Sequence, residues 1–504
     1  MLRNVLILGG GSAGFITALT LRKILPQLNV KLLCSSDLGI IGVGEGTTRD
    51  VPLHLHGILG LDPGEFYRET NASWKLGIRF LWGQRPYYNY TFRRQFNVTL
   101  PKLSRPVSYF INGDFEYFSL ASALMTENKV FAKQPDGTPQ IGQDLAYHLE
   151  NELFVKWLAK TAQRLGVEMI DDLVVGVSRN EHGIDALQLK SGQTIQADFY
   201  VDCSGFRSYL LGEILEEPFE SFENALYCDR AIVGGWDRGP DEPIKSYTTA
   251  ETMNCGWCWQ IDHEFRINRG YVYSSKFISD EDAEREFRAK NPKITKTRVI
   301  PFKTGCHRRA WVGNVCAIGN SNGFVEPLEA TAIGVICQDA LQLAFTLSDV
   351  HERPSPSKIH QYNERSRRIW QLIRDFLAIH YKYNRRLDTP FWRACHADVQ
   401  LGKAEELCNY YIENGPQPAY TSTILDPLDQ FNLEGYVVHL LGQEVPCQFR
   451  YQPTPQDREI LQRNREECRQ RAQQGYTVEE AFKIIRSPRW QWNPGFYKTV
   501  EQIL

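Results

Sequence analysis

Glu329, Thr331 and Ala332 fall within one short segment, Gly323 to Ile333 (GFVEPLEATAI), whose residue types bear on anion chemistry. Thr331 occupies an N-cap position ahead of a helix-like run ending near Leu347, so the next amides lack intrahelical partners. Such amides, reinforced by the helix dipole, make a ready site for a small anion. Glu329, two residues ahead, is out of place beside an anion unless a reaction separates the two charges. Taken alone, the segment equally describes an ordinary capped helix with an exposed glutamate.

Two other groups of residues invite chemistry. Cys255-Gly256-Trp257-Cys258 has the C-x-x-C spacing of a dithiol or half a zinc site. No second C-x-x-C follows, and the stretch alternates like a strand interior instead of opening a helix, so neither a redox centre nor a metal site is expected. Trp257 and Trp259 lie two apart and project from one strand face as a rigid aromatic wall, or as a core ladder. Gly270 to Phe277 reads as the neighbouring antiparallel strand, with Asp262 to Arg269 as the turn.

The elements that must position these residues begin at the amino terminus. Val5-Leu6-Ile7-Leu8 is a buried-strand run, Gly9-Gly10-Gly11-Ser12-Ala13-Gly14 follows at once, and Phe15 to Leu25 has helical spacing. This G-x-G-x-x-G between strand and helix is a dinucleotide fingerprint: Gly9 for the tight turn, Gly11 for approach to the pyrophosphate, Gly14 for helix packing. The next strand, Val30 to Leu33, ends at Cys34 where a ribose-binding acid belongs, and Asp37 lies three residues too far on.

Composition narrows the classes. The 504 residues, 42% hydrophobic, suffice for a large core of two or three units. A net charge of −3 excludes a nucleic-acid or polybasic membrane surface. No apolar run is long enough to span a membrane, Met1-Leu2-Arg3-Asn4 leaves no room for a signal peptide, and twelve scattered cysteines suit a reduced, cytoplasmic protein. Pro453 to Gln474, dense in Arg, Glu and Gln, reads as a solvated helix face.

The chain resembles the flavin-dependent tryptophan halogenases and their halogenase-like relatives from its amino terminus to about Ala394. The resemblance rests on the glycine fingerprint, Gly42-Val43-Gly44-Glu45-Gly46-Thr47, Asn71-Ala72-Ser73-Trp74-Lys75, Val201-Asp202-Cys203-Ser204-Gly205-Phe206-Arg207, Trp-x-Trp-x-Ile, Glu326-Pro327-Leu328-Glu329 and Asp388-Thr389-Pro390-Phe391-Trp392-Arg393. It implies an α/β fold of the FAD-binding G-x-G-x-x-G type seen in glutathione reductase and p-hydroxybenzoate hydroxylase. Residues 1–350 would form the FAD-binding body, with a mostly antiparallel substrate sheet inserted at about 75–120 and 215–280, and 351–504 a mostly helical substrate-covering region.

It also implies a reaction. A separate flavin reductase supplies FADH2, which reacts with oxygen to a hydroperoxide; chloride or bromide attacks it to give hypohalous acid. Lys75 then meets the oxidant beside the substrate, as an ammonium donor or a low-titrating amine, while Glu329 takes the ring proton. The halide lies on the amides of Thr331 and Ala332, and Trp257 and Trp259 line the flavin side. Gly9, Gly11, Ser12, Ala13, Gly14, Gly44, Glu45, Val174, Ile318 and Ile333 are the implied cofactor contacts. Tyr90 and Phe92 either sandwich an aromatic ring or belong to the core. Without its resemblance, Lys75 reads as an exposed strand residue.

Departures from the family pattern set the remaining expectations. Asp262 replaces a proline and puts a charge at a turn, Ala330 replaces a serine, and Ala332 replaces a glycine, which strains the chain if φ must be positive there. Tyr420 to Gly442 carries no Tyr-Tyr-x5-Glu clamp for a free amino acid, so an indole or phenol, or a ring presented on a larger molecule, is the expected substrate of a monomer or homodimer. Two rival readings stay open: an aromatic hydroxylase of the same flavin fold, and a catalytically idle flavin-binding protein.

Overall fold

The computed structural model describes residues 2–39, 44–92, 100, 102–103, 114–142, 145–348, 354–416 and 421–492. Gly42 and Val43 of the second motif, Tyr420, and most of 93–113 within the expected substrate insertion lie outside them.

Val5, Leu6 and Ile7 are all buried, which a strand covered on both faces requires. Their strand, Asn4–Leu8, is central in a six-stranded sheet, flanked in parallel by Asn29–Cys34 and Phe199–Asp202 with Ile7 opposite Leu32 and Val201. Glu168–Asp171 closes one edge; Val315–Ala317 and Trp311–Val312 close the other. The helix Ser12–Ile24 follows the glycines and packs against Ala332–Leu347 and Asn151–Arg164 over this sheet. The helix carrying the anion-binding candidates is thereby fixed to the one that opens the nucleotide fingerprint.

A second sheet of seven strands runs Thr297–Pro301, Arg230–Asp237, Arg266–Tyr273, Gly256–Asp262, Thr248–Met253, Gly77–Leu81, Tyr88–Thr91. All its pairings are antiparallel except Thr248–Met253 on Gly77–Leu81. The strand expected over Gly270–Phe277 is instead Arg266–Tyr273, and the turn shrinks to His263–Phe265, closed by the His263 amide on the Arg266 carbonyl at 2.9 Å. Arg269, expected in the turn, has cross-strand partners instead: it donates to Gln260 at 2.9 Å and pairs with Glu251 at 3.3 Å.

A three-stranded antiparallel sheet, Gly44–Gly46, Ala146–Glu150, Ser73–Lys75, places Lys75. The preceding helix Pro63–Thr70 starts on the Asp62 carboxylate, which accepts from the Glu65 amide, and stops at Asn71 in the left-handed region. The chain then enters Ser73–Lys75 with alternating faces. Trp74 faces the core, its ring centroid 4.9 Å from Phe131 and 5.1 Å from Phe482. Fully burying such a ring contributes about 2–3 kcal/mol, and it holds Lys75 turned to the opposite side.

Beyond residue 353 the described elements are helices. Pro356–Tyr383 has 28 residues and buries Phe376, Leu377, Ala378, Ile379, His380 and Tyr381 in succession. Asn432–Gly442 packs on it, whereas Pro455–Gln473 buries only Asp457, Cys468 and Ala472.

Candidate active site

Lys75 is completely buried. Its Nζ donates to the Thr47 carbonyl at 3.2 Å and stands 5.1 Å from the centre of the Phe92 ring. Burial lowers its titration to about 7, against the opposing attraction of Glu329. A side chain at Gly46 would come within 3.1 Å of this nitrogen and 3.4 Å of Ala330 Cβ. The glycine thus keeps open the narrow space between the lysine and the Glu329 segment.

Glu329 ends a 3-10 turn, Pro327–Glu329, and is 2% exposed. Its Oε1 meets His380 Nε2 at 2.9 Å and His439 Nε2 at 3.4 Å, the second an electrostatic contact rather than an aligned hydrogen bond. Burial alone would raise this carboxyl, but the two histidines outweigh it and hold it below the usual range. His439 is driven down to about 4 by burial and by His380, so it is neutral. Its Nδ1 lies 3.1 Å from the Tyr88 hydroxyl, and His380 Nδ1 is 3.1 Å from the Phe376 carbonyl. The three donor atoms lie within 4.8 Å of one another, a spacing that also suits a metal ion.

Immediately after Glu329 the backbone reverses. Ala330 takes φ 57°, ψ 34°, and the helix starts at Ala332. The strain anticipated at Ala332 therefore falls on Ala330, because the left-handed residue is the one that joins the 3-10 turn to the helix. Thr331 stands at the N-cap position, but its backbone is right-handed helical and its side chain makes no capping bond. Among the described residues, the amides of Thr331 and Ala332 have no backbone acceptor, and both residues are buried. Free amides at a buried helix start can receive an anion.

Trp257 and Trp259 share a face, with ring centroids 6.0 Å apart. Trp257 Nε1 donates to Glu326 Oε1 at 3.0 Å, and the Tyr381 hydroxyl donates to the same oxygen. Burial raises Glu326 to about 7 despite these two bonds. Trp259 lies flat over Gly270, where a Cβ would fall 1.9 Å from its ring. Asp262 is not an exposed turn charge: it is fully buried and pairs with Arg238 at 2.9 Å. All twelve cysteines are free, with Cys255 in the hairpin turn and Cys258 on the strand face opposite the indoles.

At the glycine fingerprint, a Cβ on Gly9 would meet the Cys203 carbonyl at 2.1 Å and one on Gly14 the Gly9 carbonyl at 1.9 Å, while Gly11 faces open space. Gly11 is the N-cap of Ser12–Ile24 and caps it with no side chain, leaving the first amides free. The cradle fits a pyrophosphate. Ser12 donates to Asn151 at 3.2 Å, and Ala13 packs against the cluster that contains Ile318 and Ile333. Gly44 and Glu45 lie on the other edge strand of Lys75's sheet, where burial raises Glu45 to about 7. Val174 packs in a separate cluster under the hairpin Val174–Leu189. Asp37 is exposed and paired with Lys190 at 3.1 Å.

Tyr90 packs edge-on to His439, ring centroids 4.7 Å apart, and Phe92 lies beside Lys75 Nζ. His380, His439 and Tyr381 were not singled out from the sequence, and Glu326 was quoted there only as part of a motif. A signal existed: each histidine interrupts an apolar helical run, Phe376–Tyr381 and Tyr436–Leu441, where a buried polar group needs a partner.

Comparison with known proteins decides the family. The tryptophan halogenase family model matches residues 4–455. The chain belongs to that family. A tryptophan 7-halogenase of Lentzea aerocolonigenes, RebH, is 31% identical over 418 residues, covering 78% of each chain. Among solved structures, the lanthipeptide tryptophan 5-halogenase MibH superposes with a TM-score of 0.88 at 36% identity, over 97% of this chain and 94% of that one. BrvH, a flavin-dependent halogenase from Brevundimonas sp. BAL3, gives 0.85 at 27% identity, over 97% and 100%. The mixed parallel and antiparallel sheets are thus those of flavin-dependent halogenases, and this tryptophan halogenase family member is a flavin-dependent enzyme. Among the described residues no helix is long and apolar enough to cross a membrane.

Proposed function

We propose that this halogenase transfers bromide or chloride, oxidised to hypohalous acid, onto an electron-rich ring held between Lys75 and Glu329. The observation that carries it is the enclosure of both side chains beside the free amides of Thr331 and Ala332. FAD fits the cradle of Gly9, Gly11, Ser12, Ala13 and Gly14, with Trp257 and Trp259 as the wall between its ring and the substrate. Bound in reduced form, received from a separate reductase, it would supply with oxygen the two-electron oxidation of the halide. Thr331 and Ala332 hold the halide by their amides, and Lys75 Nζ holds or captures the oxidant. The C–H bond at the attacked carbon then breaks, its electrons return to the ring, and Glu329 receives the proton.

Tyr90 and Phe92 are assigned to the ring's faces. Residues 1–350 serve as the flavin-binding body with its inserted sheet, and 351–504 cover the substrate. The likeness to MibH favours an indole presented on a peptide over a free amino acid. The test is mass spectrometry of reactions containing FAD, a flavin reductase, NADH and a panel of indoles, phenols and tryptophan-containing peptides, with chloride or bromide. A halogen isotope pattern absent in Lys75→Ala supports the reading. A gain of one oxygen indifferent to halide overturns it.

A further inference from the structure

Glu329 has two classes of positive group near it, the lysine whose charge it attracts from a distance and the histidines in contact with it, and the hydrogen-bond pattern separates them. The Phe376 carbonyl can only accept, so His380 Nδ1, 3.1 Å away, carries a hydrogen. His380 Nε2 meets Glu329 Oε1 at 2.9 Å, and two bare lone pairs do not approach so closely. A second proton therefore sits between them, on the nitrogen or on the oxygen. Either way the His380–Glu329 pair is electrically neutral as a unit. His439 adds no charge: burial and His380 hold it neutral, and its Nδ1 faces the Tyr88 hydroxyl.

Lys75 is left outside this arrangement. Among the described residues, no carboxylate lies within 4.0 Å of its Nζ, whose one hydrogen bond runs to Thr47. The titratable groups around the ammonium are Glu329 from the 3-10 turn and His148 from the strand Ala146–Glu150, and His148 is neutral. Those around Glu329 are His380, His439, Tyr88, Tyr90 and Lys75 itself.

Building on Lys75 and Glu329 as the reacting pair, we propose that His380 is the counter-ion of Glu329 and that Lys75, left without one, stands ready as an uncharged amine. His380 is a positioning residue: it touches no reactant and acts by cancelling the carboxylate's charge. An uncharged Lys75 offers a lone pair to the electrophilic halogen, so the N–X bond forms as the O–X bond breaks and hydroxide takes the proton shed by nitrogen. The same nitrogen as an ammonium ion could only donate hydrogen bonds. The histidine behind the glutamate thus selects between two ways of carrying the oxidant.

The test is 15N NMR of lysine- and histidine-labelled resting protein without flavin, halide or substrate, with Lys75→Arg and His380→Gln assigning the two signals. Its outcome is independent of whether any ring is halogenated. His380→Gln keeps an N–H toward Glu329 but adds no charge, so the carboxylate becomes uncompensated and Lys75 should titrate at least about one pH unit higher. A smaller rise overturns the proposal. Glu329→Gln removes the carboxylate and the shared proton together, so Lys75 should move by less than about one unit. A larger fall shows that Lys75 and Glu329 were an ion pair and overturns it too. So does a stoichiometric metal ion retained on Glu329, His380 and His439 after dialysis against a chelator, since the metal would then supply the charge.

Discussion

Removing Arg238 should harm this protein more than neutralising the aspartate it faces. The two side chains are 8% and 1% exposed and meet at 2.9 Å. Arg238 also donates to the carbonyls of His263, Glu242 and Pro243 at 2.8 to 2.9 Å, while Asp262 keeps a second bond from Gln260 at 3.0 Å. Arg238→Met leaves a buried carboxylate without its cation and three carbonyls without donors, a loss of about 3–5 kcal/mol. Asp262→Asn leaves the guanidinium its three carbonyl acceptors and weakens one charge-assisted bond, about 1.5–3 kcal/mol. A chain of this length need not unfold in one step, so the assay is hydrogen exchange of Gly256–Asp262 and Ser73–Lys75. The second strand belongs in the assay because the Ser73 hydroxyl is bonded to the Asp262 carbonyl at 3.2 Å. The gap of about 2 kcal/mol corresponds to roughly 30-fold less protection in Arg238→Met than in Asp262→Asn. Equal or reversed effects would refute this account of the hairpin.

Burial that lowers Lys75 to about 7 means the folded chain binds fewer protons than the unfolded one between about pH 7 and 10. Its share of stability therefore rises with pH across that window, and Lys75→Met should remove up to about 1.4 kcal/mol per pH unit of slope, read from denaturation midpoints of the two proteins. Glu329→Gln should slow single-turnover halogenation about 10²- to 10⁴-fold, the range of a lost general base, while thermal stability serves as the folding control. Ala330→Gly should stabilise by about 1 kcal/mol in a thermal melt by relieving its left-handed backbone, whereas Ala332→Gly, in regular helix, should not. Gly270→Ala should push Trp259 off its neighbouring strand at about 1–3 kcal/mol and alter the near-ultraviolet circular dichroism of the indoles.

The nucleotide cradle was legible because a strand buried on both faces must be apolar throughout and its glycines follow without a gap. Lys75, Glu329 and the paired indoles were legible through motif order and strand alternation. His380 and His439 were passed over: each is the single histidine of an apolar run, 51 and 110 residues beyond Glu329, and only the fold brings them to its carboxylate. Asp262 misled because its partner comes from another strand's end, and a charge beside a predicted turn is ordinarily solvated. Ala330 was singled out for the serine it replaces and not for its backbone, because only the junction between a 3-10 turn and a helix demands a left-handed residue there.

Tyr381 and His380 are consecutive residues of one helix, and they hold Glu326 and Glu329, the two carboxylates of a single turn. Glu326 in turn fixes the indole of Trp257. The indole assigned to the flavin side and the carboxylate assigned as base are thus registered against the same 28-residue rod. A shift of that rod cannot adjust one without the other, so substrate range can diversify only where the rod is not involved. Asn432–Gly442, which packs on the rod and carries His439 against Glu329, and Tyr90, whose ring meets Phe376, are tied to it as well.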